Sequence, residues 1–103
     1  VEAEQAVAER SALIGMCLYA LDRARSAGVA ERLEAGLAEV GVEAVRPNGD
    51  PFDPSVHEAG GTEPTDDPAL VGRIAETEVP GFTDRGRSLR APIVIVYVAR
   101  ESA

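Results

Sequence analysis

Lysine is absent from this chain of 103 residues: all ten basic side chains are arginine, set against eighteen Asp and Glu, for a formal net charge of −8. That balance repels phosphate backbones and anionic lipid, and so excludes nucleic acid and membrane surfaces as expected partners. A partner with basic patches is easier to accommodate. The arginine-only usage reads as the coding bias of a GC-rich genome. Tryptophan is also absent, and two Phe and two Tyr are the only large rings. A core without them rests on Val, Ile, Leu and Ala, and such chains often gain stability by oligomerising. The single cysteine, Cys17, excludes an internal disulfide and any multi-cysteine zinc site, and its apolar surroundings read as those of a buried thiol. Long hydrophobic runs are missing too. Leu13 to Leu21 is apolar, but Arg10, Asp22, Arg23 and Arg25 bound it, far short of the roughly 20 residues a membrane span needs. No basic segment precedes it as a secretory signal would require, so the cytoplasm is the expected compartment.

Proline is absent from residues 1–40, and all seven prolines follow, beginning with Pro47. The first stretch is rich in Ala, Glu, Leu and Arg, which favour helix. Val7, Leu13, Ile14, Cys17, Leu18, Leu21 and Ala24 recur at three- and four-residue steps, which predicts an amphipathic helix with a broad apolar face. Ser26-Ala27-Gly28 reads as a break. A second helix carries Val29, Leu33, Leu37 and Val40 on one side, and Gly41 is placed to cap it in the left-handed conformation. Two such helices expose more apolar surface than each can cover on the other. The expected outcome is a dimeric four-helix bundle using Leu13, Ile14, Cys17, Leu18, Leu21, Leu33 and Leu37; the alternative folds the hairpin onto its own sheet.

From residue 42 the chain is turn-rich. Val42 to Val45 reads as a short strand ended by Pro47-Asn48-Gly49-Asp50, and Pro51 and Pro54 keep the next stretch out of a central strand. Glu58 to Pro68, with two consecutive glycines and two prolines, reads as a solvated loop. Leu70 to Val79 alternates loosely as a strand, Pro80-Gly81 and Arg85-Gly86 read as turns, and Ile93 to Val98 as the central strand. The predicted class is α+β, with a helical dimerisation segment over 1–41 and a small all-β domain over 42–103.

Candidates for chemistry are few. His57 is the only imidazole, with Asp53, Ser55 and Glu58 nearby in sequence, so a small hydrolase built on His57 is one reading. No strand–turn–helix elbow presents a serine there, and a hydrogen-bonded structural histidine is the plainer one. Asp50 and Asp53 miss the calcium-loop spacing. The glycines at 60, 61 and 81 do not form a phosphate cradle, which in its P-loop version also needs a lysine. No metal, cofactor or catalytic group is expected, and the residues by themselves describe a protein-binding module.

Three segments resemble the GrpE family. The first is Gly41-Val42-Glu43 followed by Pro51-Phe52-Asp53-Pro54-Ser55-Val56-His57-Glu58-Ala59, similar to that family's glycine-ended helix and Phe-Asp-Pro…His-Glu-Ala signature. The second, Gly72 to Phe82, resembles a strand ending in a Gly-aromatic turn. The third, Gly86-Arg87-Ser88-Leu89-Arg90-Ala91-Pro92-Ile93-Val94-Ile95-Val96, resembles the Gly-Arg-x-aliphatic-Arg-x-x-x-Val-x-Val ending. All three keep order and spacing across 41–99, and Leu21-Asp22-Arg23-Ala24 resembles the family's Leu-Asp-Arg-Ala helix motif.

The resemblance implies a non-enzymatic homodimer that binds the nucleotide-binding domain of a DnaK-type chaperone and promotes ADP release. By position it implies partner contacts at Phe52, Arg87 and Val96. The chain departs from the pattern in several places. Glu78 stands where an apolar residue is usual, Val79-Pro80 replaces a polar-basic pair, Ala91-Pro92 inverts the usual order, and the hairpin after Ala24 is short. Val1 opens inside a helical pattern without a cap, as in a piece of a longer member or a trimmed one. These departures keep a second expectation open: a dimeric binding paralogue without exchange activity.

Overall fold

A computed structural model describes residues 1–101. The fold is α+β: two helices, α1 (Glu2–Asp22) and α2 (Ala27–Glu39), precede six strands. The strands are β1 (Val42–Val45), β2 (Glu58–Thr65), β3 (Ile74–Val79), β4 (Gly81–Asp84), β5 (Arg87–Arg90) and β6 (Ile93–Ala99). The chain divides into two compact units, Val1–Glu43 and the remainder from Ala44 onward.

In the first unit α1 begins without a side-chain cap, but Glu2 and Glu4 set negative charge against the positive end of its dipole. It ends at Arg23, whose guanidinium donates to the Tyr19 carbonyl at 3.3 Å and stacks 3.6 Å from the centre of the Tyr19 ring. The break therefore lies at 23–26, earlier than the sequence suggests. Ser26 caps α2, its Oγ accepting from the Val29 N–H at 3.4 Å, while Ala27 and Gly28 already belong to the first turn. Gly41 has φ 91° and its N–H donates to the Ala38 carbonyl, the expected left-handed stop. Ile14 and Leu37 are the buried contacts of the two helices, and Arg10 Nη2 donates to the Val40 carbonyl at 2.6 Å. That bond places a cation on the carbonyl end of α2 and ties it to α1.

The six strands form two three-stranded sheets, in the orders β1-β4-β5 and β2-β6-β3. β6 is central in its sheet, as its unbroken Ile-Val run predicts. The reading of 58–68 as a loop is overturned: Glu58–Thr65 is a strand, pairing parallel with β6 along its length. Its glycines are there for contact. A Cβ at Gly60 would stand 2.6 Å from Ile93 Cγ2, and one at Gly61 would stand 3.1 Å from Ile95 Cδ1. As an edge strand β2 also tolerates Pro64, which cannot donate to a ladder. Residues 68–72 are turns, so β3 starts only at Ile74, and Gly81 opens β4 where a turn is expected. Ile74, Phe82 and Val94 are almost completely excluded from solvent, and Phe82 is the one ring that fills the core.

Candidate functional site

The β4–β5 hairpin reverses in two residues, Arg85 and Gly86, between the paired Asp84 and Arg87. Both loop residues have positive φ, 51° and 87°, the requirement of the tight reversal that matches strand twist. Arg87, the first residue of β5, is exposed beside the tip, and Arg85 is exposed in it. Neither guanidinium meets an acceptor among the described residues. Arg90, at the other end of β5, is instead half-buried, donating to the Pro80 carbonyl at 3.1 Å above the Phe82 ring. Two of the hairpin's cations are thus free for another molecule, while the third secures the strand. Sequence reading singled out Arg87 and passed over Arg85. The available signal was an arginine in a loop position that favours Asn or Asp.

Phe52 lies half-buried in the segment between β1 and β2, its N–H donating to the Gly72 carbonyl at 2.9 Å. Its ring sits 6.0 Å from that of His57, at the edge of the unit, while Phe82 takes the interior. The turn beneath is closed from both ends. The Asp53 N–H donates to His57 Nδ1 at 2.9 Å and the His57 N–H donates back to the Asp53 carbonyl at 2.8 Å. The Ser55 hydroxyl donates to Asp53 Oδ1 at 2.7 Å. The serine and histidine are therefore each committed to Asp53 and form no nucleophile–base pair, which removes the geometric basis of a His57 hydrolase. Among the described residues no three His, Cys, Asp or Glu side chains gather as a metal site. Val96, the third residue, is half-buried on β6, opposite Thr62 on one side and Ile74 on the other. Backbone bonds from Phe52 to Gly72 and from Gly72 to Tyr97 link the Phe52 turn to the β6 segment; Arg87 belongs to the other sheet.

Asp53 has its carboxyl held below the ordinary value, first by the Ser55 hydroxyl, then by the Ser55 N–H, with the nearby His57 adding to both. A depressed carboxyl contributes stability that is complete above the unfolded value, about 3.9, and is lost as pH falls through the folded value. Ser55→Ala is expected to move the Asp53 titration upward and to bring acid loosening of this turn to higher pH. Carboxyl-carbon NMR titration reads this directly, and an unmoved Asp53 midpoint would contradict the assigned cause.

On the helical unit, an open groove of about 600 Å³ runs between α1 and α2. Ile14, Cys17, Leu33 and Leu37 line it with Leu13, and Glu9, Arg10 and Arg32 supply its charges. Ile14 and Leu37 are buried, Cys17 and Leu33 half-buried, and Leu13 is 59% exposed. Leu18 and Leu21, also half-buried, are not part of the groove lining. Val40, on the apolar side of the second helix as the sequence predicts, completes the groove with Ala6 and Gly36, two small residues that apolar spacing alone does not single out.

Residues 27–98 match the profile of the family described as GrpE. Among curated proteins, the chain is 39% identical over 74 residues to Protein GrpE of Trichormus variabilis, covering 72% of this chain and 29% of that protein. Protein GrpE of Chromohalobacter salexigens is 42% identical over 63 residues, 61% of this chain and 30% of the relative. Protein GrpE of Coxiella burnetii is 44% identical over 61 residues, 58% of this chain and 29% of the relative. The chain thus spans under a third of the length of the relatives it matches.

Proposed function

Because this chain belongs to the GrpE family, as the match over residues 27–98 shows, we propose that it serves a DnaK-type chaperone as a nucleotide-exchange factor. On this reading residues 1–41 pair two copies and residues 42–103 form the head that meets the chaperone's nucleotide-binding domain. The factor makes and breaks no bond. It binds the open-cleft conformer of the chaperone better than the closed one, so ADP, which prefers the closed form, leaves faster. A tenfold bias needs only about 1.4 kcal/mol of differential affinity. The same reading puts the protein in the cytoplasm, and among the described residues no helix is long and apolar enough to cross a membrane.

The observation that carries the reading is the family match, which takes in both the Phe52 turn and the β4–β5 hairpin. Within it Arg87 supplies a planar, always-charged donor fork suited to a partner carboxylate. Phe52, half-exposed over His57, offers an aromatic edge for an apolar pocket, and Val96 a β-branched contact on β6. The test is release of a fluorescent ADP analogue from the chaperone. The chain is expected to accelerate it, and Arg87→Ala to reduce the effect roughly tenfold, the value of one lost charged hydrogen bond. No acceleration at saturating concentration ends the proposal. Binding without acceleration would favour the non-exchanging paralogue, for which the altered stretch Glu78-Val79-Pro80, with Glu78 exposed on β3, is the specific support.

A further inference from the structure

We propose that Arg85 is a second partner-contacting residue of the hairpin tip, selecting, together with Arg87, a surface that presents carboxylates. The starting point is a local contradiction. A two-residue reversal with positive φ at both positions is the setting for Asn-Gly or Asp-Gly, because a short polar side chain tolerates the left-handed region. Here the first position is an arginine at φ 51°, the one non-glycine residue with positive φ among those described. Its long side chain gains nothing locally in return: it is exposed and finds no acceptor among the described residues. Strain of this kind, uncompensated inside the molecule, points outward to an interaction.

Charge supports the choice of partner. The chain as a whole carries −8, yet Arg85 and Arg87 flank Gly86 at the exposed turn of the β4–β5 hairpin. The nearby carboxylate, Asp84, is half-buried at the base of the turn and already engaged within the protein. The tip is thus a small cationic outpost on an acidic molecule. It can approach an acidic surface that the rest of the chain would repel, and two guanidiniums divided by a glycine can take carboxylates bidentately.

This inference rests on the exchange-factor reading, so the experiment separates the two. Binding of the full chain to the nucleotide-free nucleotide-binding domain of a DnaK-type chaperone, the open-cleft form this reading favours, is measured at low and at moderate salt, with thermal melts alongside. The variants are Arg85→Asn, Arg85→Lys and Arg87→Ala. Asparagine suits the turn, so Arg85→Asn should melt at the same temperature or higher. It should nevertheless bind about tenfold more weakly at low salt and lose less affinity as salt rises. Arg85→Lys, which keeps charge and strain but not the fork, should recover part of the loss. Wild-type affinity in Arg85→Asn at both salts overturns the role of Arg85 alone. A lower melting temperature accompanying its weaker binding makes the residue structural and overturns it equally. A wild-type chain that does not bind removes the exchange-factor reading, and this contact with it.

Discussion

Gly81→Ala is expected to cost the β unit about 3 kcal/mol and lower its melting temperature by about 15 °C or more. Gly81 is buried at the start of β4, and a Cβ there would stand 2.6 Å from both the N and the Cδ of Pro92 and 2.8 Å from the Arg90 carbonyl oxygen. These are atoms of the backbone or of a ring fused to it. None can rotate away, so relief requires moving the β5–β6 connection. Pro92 is itself buried, and its carbonyl accepts the Glu58 N–H at 2.9 Å where β2 enters, so a shift would disturb both sheets. The opposing effect, loss of chain freedom in the unfolded state, favours alanine by only about 0.4–1 kcal/mol. A unit of roughly 60 residues has on the order of 3–9 kcal/mol in total, so the variant should sit near its folding threshold at ambient temperature. Gly15→Ala is the matched control: the glycine lies mid-helix with nothing within 4 Å of its Cβ position, and alanine there should raise stability slightly. Melting followed by circular dichroism distinguishes them. A Gly81→Ala chain that melts like the wild type would mean that the two backbones do not approach as described.

How much of this was legible in the sequence depended on whether the signal was local. The two helices, the Gly41 stop, the Arg85-Gly86 reversal and the central Ile93–Val98 strand each follow from periodicity or from the conformational needs of a few adjacent residues. β2 does not. Gly60, Gly61 and Pro64 all argue against a strand when taken in isolation, and the carboxylates around them argue for solvent. What makes 58–65 a strand is a parallel register with β6 some 35 residues later, whose Ile93 and Ile95 side chains occupy the space that larger residues on β2 would need. A long-range fit of this kind overrides propensity and leaves no local trace. The helix break illustrates the smaller error. Ser26-Ala27-Gly28 looks like a disruption, but a serine followed by small residues equally describes the cap and first turn of a new helix.

The site divides along the same line. Phe52, Arg87 and Val96 came from resemblance, since nothing in their own spacing marks them as contacts. The commitment of His57 and Ser55 to Asp53 could not be read from order in the chain, because any pairing among those groups was open. The strain at Arg85 is a backbone property, visible only once the hairpin is known to turn in two residues rather than three or four.

Leu13→Glu is expected to convert the proposed dimer to monomers, weakening association about a thousandfold, while leaving the helices formed. Leu13 is 59% exposed in the single chain, yet it borders a groove with Ile14, Cys17, Leu33 and Leu37 beneath it. A lone hairpin therefore loses little when it is replaced. If a second copy fills the groove, Leu13 becomes buried and is worth roughly 2 kcal/mol of transfer free energy. Twofold symmetry counts that contribution twice, and placing two carboxylates in an apolar interface adds a desolvation cost. The sum exceeds the roughly 4 kcal/mol that a thousandfold change requires. The same substitution on a monomeric protein would change almost nothing, which is why an exposed position tests the interface better than Leu37, 5% exposed and needed by the hairpin itself. Sedimentation equilibrium at micromolar concentration supplies the measurement, with far-ultraviolet circular dichroism confirming that helix is retained. Monomeric wild-type protein, or a Leu13→Glu chain that associates as tightly as wild type, would show that this groove is not where two copies meet.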